Sequence, residues 1–403
     1  MPVECTTSQD HIEGARTGVA IVGLGGAVAT TAIAGIEQLK LGTIGTAGLP
    51  LAHRTDLLPY ESLVFGGWDL DSSNLAKAAH LHRVLEPAQI EAVAEPLEQI
   101  EPWPAVVDPA YCRNAAGANV VAAGSLRKRV AHIRTDLQRF RLEHGLDSVV
   151  VVNLGSTEAW PDLTSPVLAD IDTFEKGLDL DEPVITPGMI YTYAAIIEGC
   201  PVVNFTPSLG PDVPALLALA EREGVPVAGK DGKTGQTLIK TVLAPAFRSR
   251  ALIVDGWYST NILGNRDGQI LDDPSSLASK LDTKGSVLDS ILGYKVEDHI
   301  VRIDYYRPRG DAKEAWDNID LVGFLGQRMQ LKVDFLCRDS ILAAPLVLEL
   351  VRLVTEARRR GEGGAQEQLG YFFKKPITKD GRTPEHALHV QERALLNWLD
   401  GNR

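Results

Sequence analysis

Between Asn261 and Lys284 the chain reads Asn261-Ile-Leu-Gly-Asn265-Arg-Asp267-Gly, then Asp272-Asp273-Pro274, then Ser279-Lys280-Leu-Asp-Thr-Lys284. The Gly, Asn and Asp of the first half predict a loop. Lys280 and Lys284, one helical turn apart, share a helix face and can present two ammonium groups to one anionic ligand. A solvated helix carries such a pair equally well, so the window gains meaning only from the rest of the chain. A second candidate lies near the start. Gly18-Val-Ala-Ile-Val22 predicts a short buried strand, followed by Gly23-Leu-Gly25-Gly26-Ala-Val-Ala29 and an alanine-rich helix to about Lys40. Strand, glycine turn and helix make the phosphate-cradling start of a dinucleotide fold, because helix N-terminal N–H groups meet the pyrophosphate and glycines let it approach. Val28 stands where GxGxxG places its third glycine, and an ordinary strand–helix turn would look the same. Leu63-Val-Phe-Gly66-Gly67-Trp68-Asp69 is another strand-to-turn signal. Its terminal Asp69 suits a ribose hydroxyl pair or the cap of an amphipathic helix from about Asn74 to Val84.

The whole chain sets bounds on these sites. Its 403 residues suffice for two domains. A net charge of -13 argues against a nucleic-acid surface and confines any phosphate site to a local basic pocket. The 4 cysteines (Cys5, Cys112, Cys200, Cys337) form no CxxC and no zinc spacing, and the 9 histidines form no HExxH. This points to a reducing compartment and to no resident transition metal, with a phosphate-bound divalent ion left open. Asp10, Glu13 and Arg16 interrupt the region where a signal peptide needs an apolar core. The longest apolar run, Ile341 to Leu348, is too short for a bilayer. These features predict a cytoplasmic chain without a membrane partner.

The elements that must position the candidates alternate. A helix is predicted over Leu126 to His144, then the strand Ser148 to Val152, closed by Asn153-Leu-Gly-Ser156-Thr157-Glu158. A helix over Tyr191 to Gly199 leads to the strand Pro201 to Asn204 and the loop Phe205-Thr206-Pro-Ser208, and another helix covers Val213 to Glu223. Then comes Gly229-Lys-Asp231-Gly-Lys-Thr234-Gly235-Gln236-Thr237, which lacks the spacing of a nucleoside-triphosphate loop. Such alternation predicts a doubly wound α/β domain with its ligand crevice at the carboxyl ends of the strands. From about Ala246 the texture changes. Ala251 to Val254, His299 to Tyr305 and Leu321 to Val333 read as strands of a more open sheet, suited to oligomerisation or to carrying a lid. Helix returns from Asp339 to Arg360, where Arg358 to Arg360 complement the helix dipole, and again from Glu385 to Leu399.

Seven pieces recur in a familiar order: Gly66-Gly-Trp-Asp69, Asp231 to Thr237, Leu263-Gly-Asn-Arg-Asp267-Gly, Ser279-Lys280 to Lys284, Gly310-Asp311-Ala-Lys313, Asp339-Ser-Ile-Leu-Ala-Ala-Pro345, and Tyr371 to Pro376. Together they resemble the myo-inositol-phosphate synthases, NAD-dependent carbocyclases, from about Val19 to Pro376. The resemblance implies a Rossmann-type domain built from both chain ends (1-245 and 339-403), an inserted α+β sheet domain (246-338) for catalysis and oligomerisation, and a homotetramer. It implies catalytic roles for Lys280, Lys284, Lys313, Lys374, Asp231, Asp267 and Asp339. Cofactor positions fall on Gly23, Gly25, Gly26, Asp69, Thr157, Thr206, Asp231, Thr234, Asn265, Asp267, Asp311, Asp339 and Ser340. The implied substrate is a hexose phosphate: glucose 6-phosphate is oxidised at carbon 5, enolised by proton loss at carbon 6, closed onto the carbon 1 aldehyde and reduced again. Each step puts negative charge on an oxygen, which fixed ammonium groups stabilise. Crowded lysines are also expected to lower the pKa of one of them. Lys280 is expected at carbon 5 with Asp231 or Asp339, Lys284 and Lys374 at the phosphate, and Lys313 near the aldehyde.

Departures from the resemblance fall on the lining. Ala27, Val28 and Ala29 replace polar or glycine positions of the cofactor loop, Ser156 replaces an asparagine, and Leu238 stands where eukaryotic members carry lysine. Thr260, Ile262 and Arg266 differ around Asp267, and Arg266 adds a fork-shaped cation. Because lining residues choose substrates, cyclisation of another sugar phosphate, such as fructose 6-phosphate to a five-membered ring, is the alternative.

Overall fold

The computed structural model describes residues 15–112, 117–122, 124–264 and 287–402. Apolar runs too short to be helices become strands, and the longer amphipathic runs between them cover both faces. In chain order these are β1 (Thr17–Val22), α1 (Ala27–Lys40), β2 (Leu63–Asp69), α2 (Leu75–His82), α3 (Pro87–Glu91), α4 (Ala94–Glu98), β3 (Trp103–Pro104), α5 (Leu126–His144), β4 (Ser148–Asn153), α6 (Ile171–Asp179), α7 (Pro187–Ile197), β5 (Val202–Asn204), α8 (Pro214–Arg222) and β6 (Pro226–Gly229). A late strand, β11 (Gly364–Ala365), joins them in a 7-stranded parallel sheet of order β11-β6-β5-β4-β1-β2-β3. The order reverses between β1 and β4, which is the switch point where doubly wound sheets bind ligands.

Strand residues alternate between two cores, as the period of two requires. Val19, Ile21, Val150 and Val152 pack with α1 and with the long helix α10 (Asp339–Arg359). Ala20, Val149 and Val151 pack with α5, α7 and α8. The buried pair Glu349–Arg352 on α10 reaches back to Leu51, Leu58 and Tyr60, so the late helix is tied to the early part of the chain. The final helix, α11 (Leu388–Leu399), packs nearby through Leu395 and Leu399.

A second sheet has the order β10-β9-β7-β8, from β7 (Ile253–Leu263), β8 (Asp298–Tyr305), β9 (Ala312–Val322) and β10 (Arg328–Arg338). The helix α9 (Gly235–Ser249) lies on one face, with Ala244 and Phe247 against Trp257. Among the described residues no helix is long and apolar enough to cross a membrane.

Sequence spacing locates α5 at its observed ends, because Ser125 caps it and Gly145 closes it at φ 58. Three expectations change. The helix expected from Tyr191 starts at Pro187, where proline takes the first helical position. Asn261 to Leu263, expected in a loop, end β7 instead, held by pairing with β8 throughout and with β9 as far as Ile262. The run Leu321 to Val333 is broken by a turn in which Leu325 and Gly326 take φ 61 and 68. The Gly229 to Thr237 cluster, given no element from sequence, contains the start of α9, which runs on through Pro245.

The Gly66-Gly67 pair has a steric cause. At Gly67 φ is 145, and a Cβ there would meet the Ile21 carbonyl oxygen at 2.1 Å. We expect Gly67→Ala to lower unfolding free energy by about 2–4 kcal/mol, the combined scale of overpacking and backbone strain. Urea denaturation measures it.

Candidate active site

The turn after β1 takes the form that the sequence predicts. Gly23 has φ 86, and a Cβ there would press on the Leu154 carbonyl at 3.0 Å. Gly26 caps α1 without a side-chain bond, which leaves the first N–H groups of that helix directed at the crevice. Asp69 is not free at the end of β2: its carboxylate accepts from Gly25 N–H at 2.9 Å and from Asp71 N–H at 3.1 Å. It does not cap α2 either, since Asn74 accepts from Lys77 N–H. His82 Nε2, which carries no sequence signal, lies 2.7 Å from the Gly25 carbonyl. A glycine turn at a switch point, open helix N–H groups and a carboxylate at the end of the next strand fit the pyrophosphate and ribose of a dinucleotide.

The same crevice continues toward β6. Val28, Thr157, Thr206, Asp231, Thr234, Lys313, Asp339 and Lys374 line one cavity of about 130 Å³. A larger groove of about 1340 Å³ between α9 and the C-terminal segment contains none of the candidate residues, so chemistry rather than size marks the site. Asp231 sits at φ 61 just after β6, a left-handed conformation. Its Oδ1 accepts from Lys374 Nζ at 2.7 Å. Thr234, the N-cap of α9, donates to Asp339 Oδ1 at 3.0 Å, and Lys313 Nζ approaches the same carboxylate at 3.4 Å. Ser340 donates to Asp311 at 2.8 Å on the adjoining turn of α10.

Burial and charge act together on these groups. Burial by itself pushes Lys313 down, but Asp339 first, then Cys337 and Asp231, outweigh it and hold the ammonium above the ordinary lysine range. That reverses, for Lys313, the expectation that crowding would depress a site lysine. The depressed lysines lie beside the site: burial brings Lys233 down to about 7 and Lys240 down to about 8. Burial also raises the Asp311 carboxyl. Among the described residues, Asp231 Oδ2, Gln236 Nε2, Asn261 Oδ1 and Asp311 Oδ2 are buried without a hydrogen-bond partner. Such atoms mark where a polar ligand completes the site.

Gln236 and Asn261 bond to each other at 2.7 Å, and the sequence did not single either out as a site residue. The signal available was the position of Gln236 at a Thr-Gly-Gln helix start. Lys280, Lys284, Asn265 and Asp267 lie outside the described residues.

The family model described as Myo-inositol-1-phosphate synthase matches residues 46–400. The chain belongs to that family. It is 41% identical over 407 residues to the inositol-3-phosphate synthase 1 of Bacteroides thetaiotaomicron, covering 95% of both chains. Inositol-3-phosphate synthase 1 of Oryza sativa subsp. japonica is 30% identical over 436 residues, with 95% of this chain and 85% of that one covered. The crystal structure of inositol-3-phosphate synthase from Caenorhabditis elegans superposes with a TM-score of 0.89 at 27% identity, over 96% of this chain and 86% of the other. As a member of the myo-inositol-1-phosphate synthase family this is an NAD-dependent enzyme of the intramolecular isomerase type, with a Rossmann-type sheet and a second mixed sheet.

In this site the charge of Lys313 depends on Asp339. A lysine with a raised pKa contributes stability that is complete below its unfolded pKa and is lost as pH climbs through the folded value. Asp339→Asn removes the main opposing carboxylate and leaves burial, so the Lys313 pKa should fall. The alkaline limb of its pH–rate profile should move to lower pH, against an unchanged limb if Asp339 does not hold the charge.

Proposed function

We propose that this chain converts glucose 6-phosphate to myo-inositol 3-phosphate, without net redox change, in the crevice between α1, β6 and the first turn of α9. The observation that carries the reading is the meeting of two lysine–aspartate pairs, Lys374–Asp231 and Lys313–Asp339, beside that open helix start. A simple dehydrogenase needs one acid–base group at one carbon. A carbocyclisation builds negative charge on oxygens at two carbons while a phosphate stays bound, and so calls for several fixed cations.

The glycine turn Gly23, Gly25 and Gly26 with α1 holds the cofactor pyrophosphate, and Asp69 faces its ribose. Thr157, Thr206, Thr234, Asp311 and Ser340 line the remaining path; Asn265 and Asp267, which lie outside the described residues, are assigned to the cofactor as well. When bound, NAD supplies a hydride acceptor and, after ring closure, a hydride donor. The N–H groups of the α9 start and Gln236 Nε2 receive the substrate phosphate, with charge added by Lys374 and Lys284. Lys313 stays an ammonium and steadies developing oxyanions; it does not take up a proton. Asp231 Oδ2 has no hydrogen-bond partner among the described residues and is available to hold a substrate hydroxyl. Lys280 serves proton movement at carbon 5, with Asp231 or Asp339 as its partner.

The test is incubation with NAD+ and glucose 6-phosphate or fructose 6-phosphate, with products read by NMR. Inositol phosphate should form from the glucose isomer, with almost no accumulation of NADH. Lys280→Ala should abolish turnover while NAD still binds, and substantial residual cyclisation would remove Lys280 from the mechanism.

The same reading assigns 1-245 and 339-403 to the cofactor domain and 246-338 to an inserted catalytic and oligomerisation domain, in a cytoplasmic homotetramer. Support for the assembly comes from the second sheet. On the face away from α9, Ile300 is 45%, Trp316 37% and Leu336 60% exposed, a set of apolar side chains suited to a second copy. Light scattering should return a tetramer, and Trp316→Asp with Leu336→Asp should shift it to smaller species.

A further inference from the structure

One face of α9 carries polar groups where a helix packed on a sheet would ordinarily carry aliphatic ones. Gln236 and Lys240 are one turn apart and are both buried, at 3% and 2% exposure; Ala244 and Phe247 continue the same face into the core. Gln236 meets Asn261 on β7. One rung further on, Lys240 Nζ lies 2.7 Å from His299 Nε2 on β8 and 5.7 Å from the centre of the Trp257 ring. Strand register puts His299 opposite Trp257 and Asp317 opposite Ser259. Asp317 is fully buried and accepts from Trp257 Nε1 at 2.7 Å and Ser259 Oγ at 2.6 Å.

We propose that Lys240, through His299, is a positioning residue that fixes where the first turn of α9 sits against β7, and so sets the affinity of the site for the sugar phosphate. The proposal rests on the reading that this turn receives the phosphate. A helix lying on a sheet through Ala244 and Phe247 alone can slide or rotate slightly at little cost, because apolar contact is non-directional. The Lys240–His299 bond is directional, and it sits four residues from Gln236. Stability gives no reason for a lysine here. Burial lowers its pKa, Asp317 only partly opposes that, and apolar replacements of buried charged groups are often neutral or stabilising. A fixed helix register is the remaining gain.

The test uses the full-length enzyme with NAD+ and glucose 6-phosphate. Lys240→Met is expected to raise KM for the sugar phosphate roughly tenfold, with kcat within about threefold and NAD affinity unchanged, whatever happens to Tm. His299→Leu should reproduce this, and His299→Gln, which keeps a side-chain acceptor, should restore KM to near the wild-type value. The double variant Lys240→Met/His299→Leu should match either single variant instead of multiplying their effects. If Lys240→Met does not fold, the contrast between His299→Leu and His299→Gln decides. An unchanged KM in the folded leucine or methionine variants, or a multiplicative double variant, overturns the proposal. Wild-type enzyme that makes no inositol phosphate would instead overturn the function proposed above, so the two failures are distinguishable.

Discussion

The site depends on a join between the end of β6 and a stretch of chain that arrives 143 residues later. Lys230 N–H donates to Lys375 O and Lys374 N–H to Asp231 O, both at 2.7 Å, and Lys233 N–H donates to Phe372 O at 2.8 Å. These bonds set Asp231 opposite Lys374 and Lys230 opposite Lys375 across the join, with Asp231 in the left-handed region. Asp231 and Lys374 therefore meet at the cavity, while Lys230 and Lys375 each lie 5.2 Å from the Trp160 ring. Removing one partner of a buried ion pair costs about 3–5 kcal/mol, yet the intact pair adds little net stability. The backbone bonds and the buried rings of Phe372 and Phe373 do the holding, and the ion pair uses the position they define.

Similar burial gives opposite results for different lysines. Lys313 stands beside the Asp339 carboxylate and stays charged, whereas Lys233 bonds to the neutral amide of Gln391 and falls toward neutrality. The difference lies in the neighbours, because desolvation penalises each ammonium and only an adjacent carboxylate returns the loss. A fixed charge beside a reacting oxygen is useful for the same reason that it is hard to maintain: little solvent screens it.

Two architectural parts supply the crevice. The parallel sheet offers strand ends and the start of α1, and the second sheet offers Lys313 on β9 and Asn261 on β7. Two helices span the gap. α9 runs from the cavity along the second sheet, and α10 starts at Asp339, where β10 ends, and runs back along the first sheet. Small shifts of either helix would move charged groups that line the cavity.

How much of this was readable in advance differs by residue. Composition, strand–helix alternation and the glycine pattern determined the α/β class, the edges of α5 and the place of the tight turn after β1, because those signals come from neighbours within a few residues. The motifs also named Asp231, Lys313, Asp339 and Lys374 as a set. Their pairing was not legible, since it is made by contacts across 26 to 143 residues of chain. Nor was the charge of Lys313, which follows from the carboxylate beside it in space. Asn261 read as loop because its local sequence is turn-like, and pairing with two strands overruled that preference. Local chemistry determined which residues are present and what each can do; only tertiary packing decided which of them face one another, because burial and distance set charge, and neither is a property of sequence neighbours.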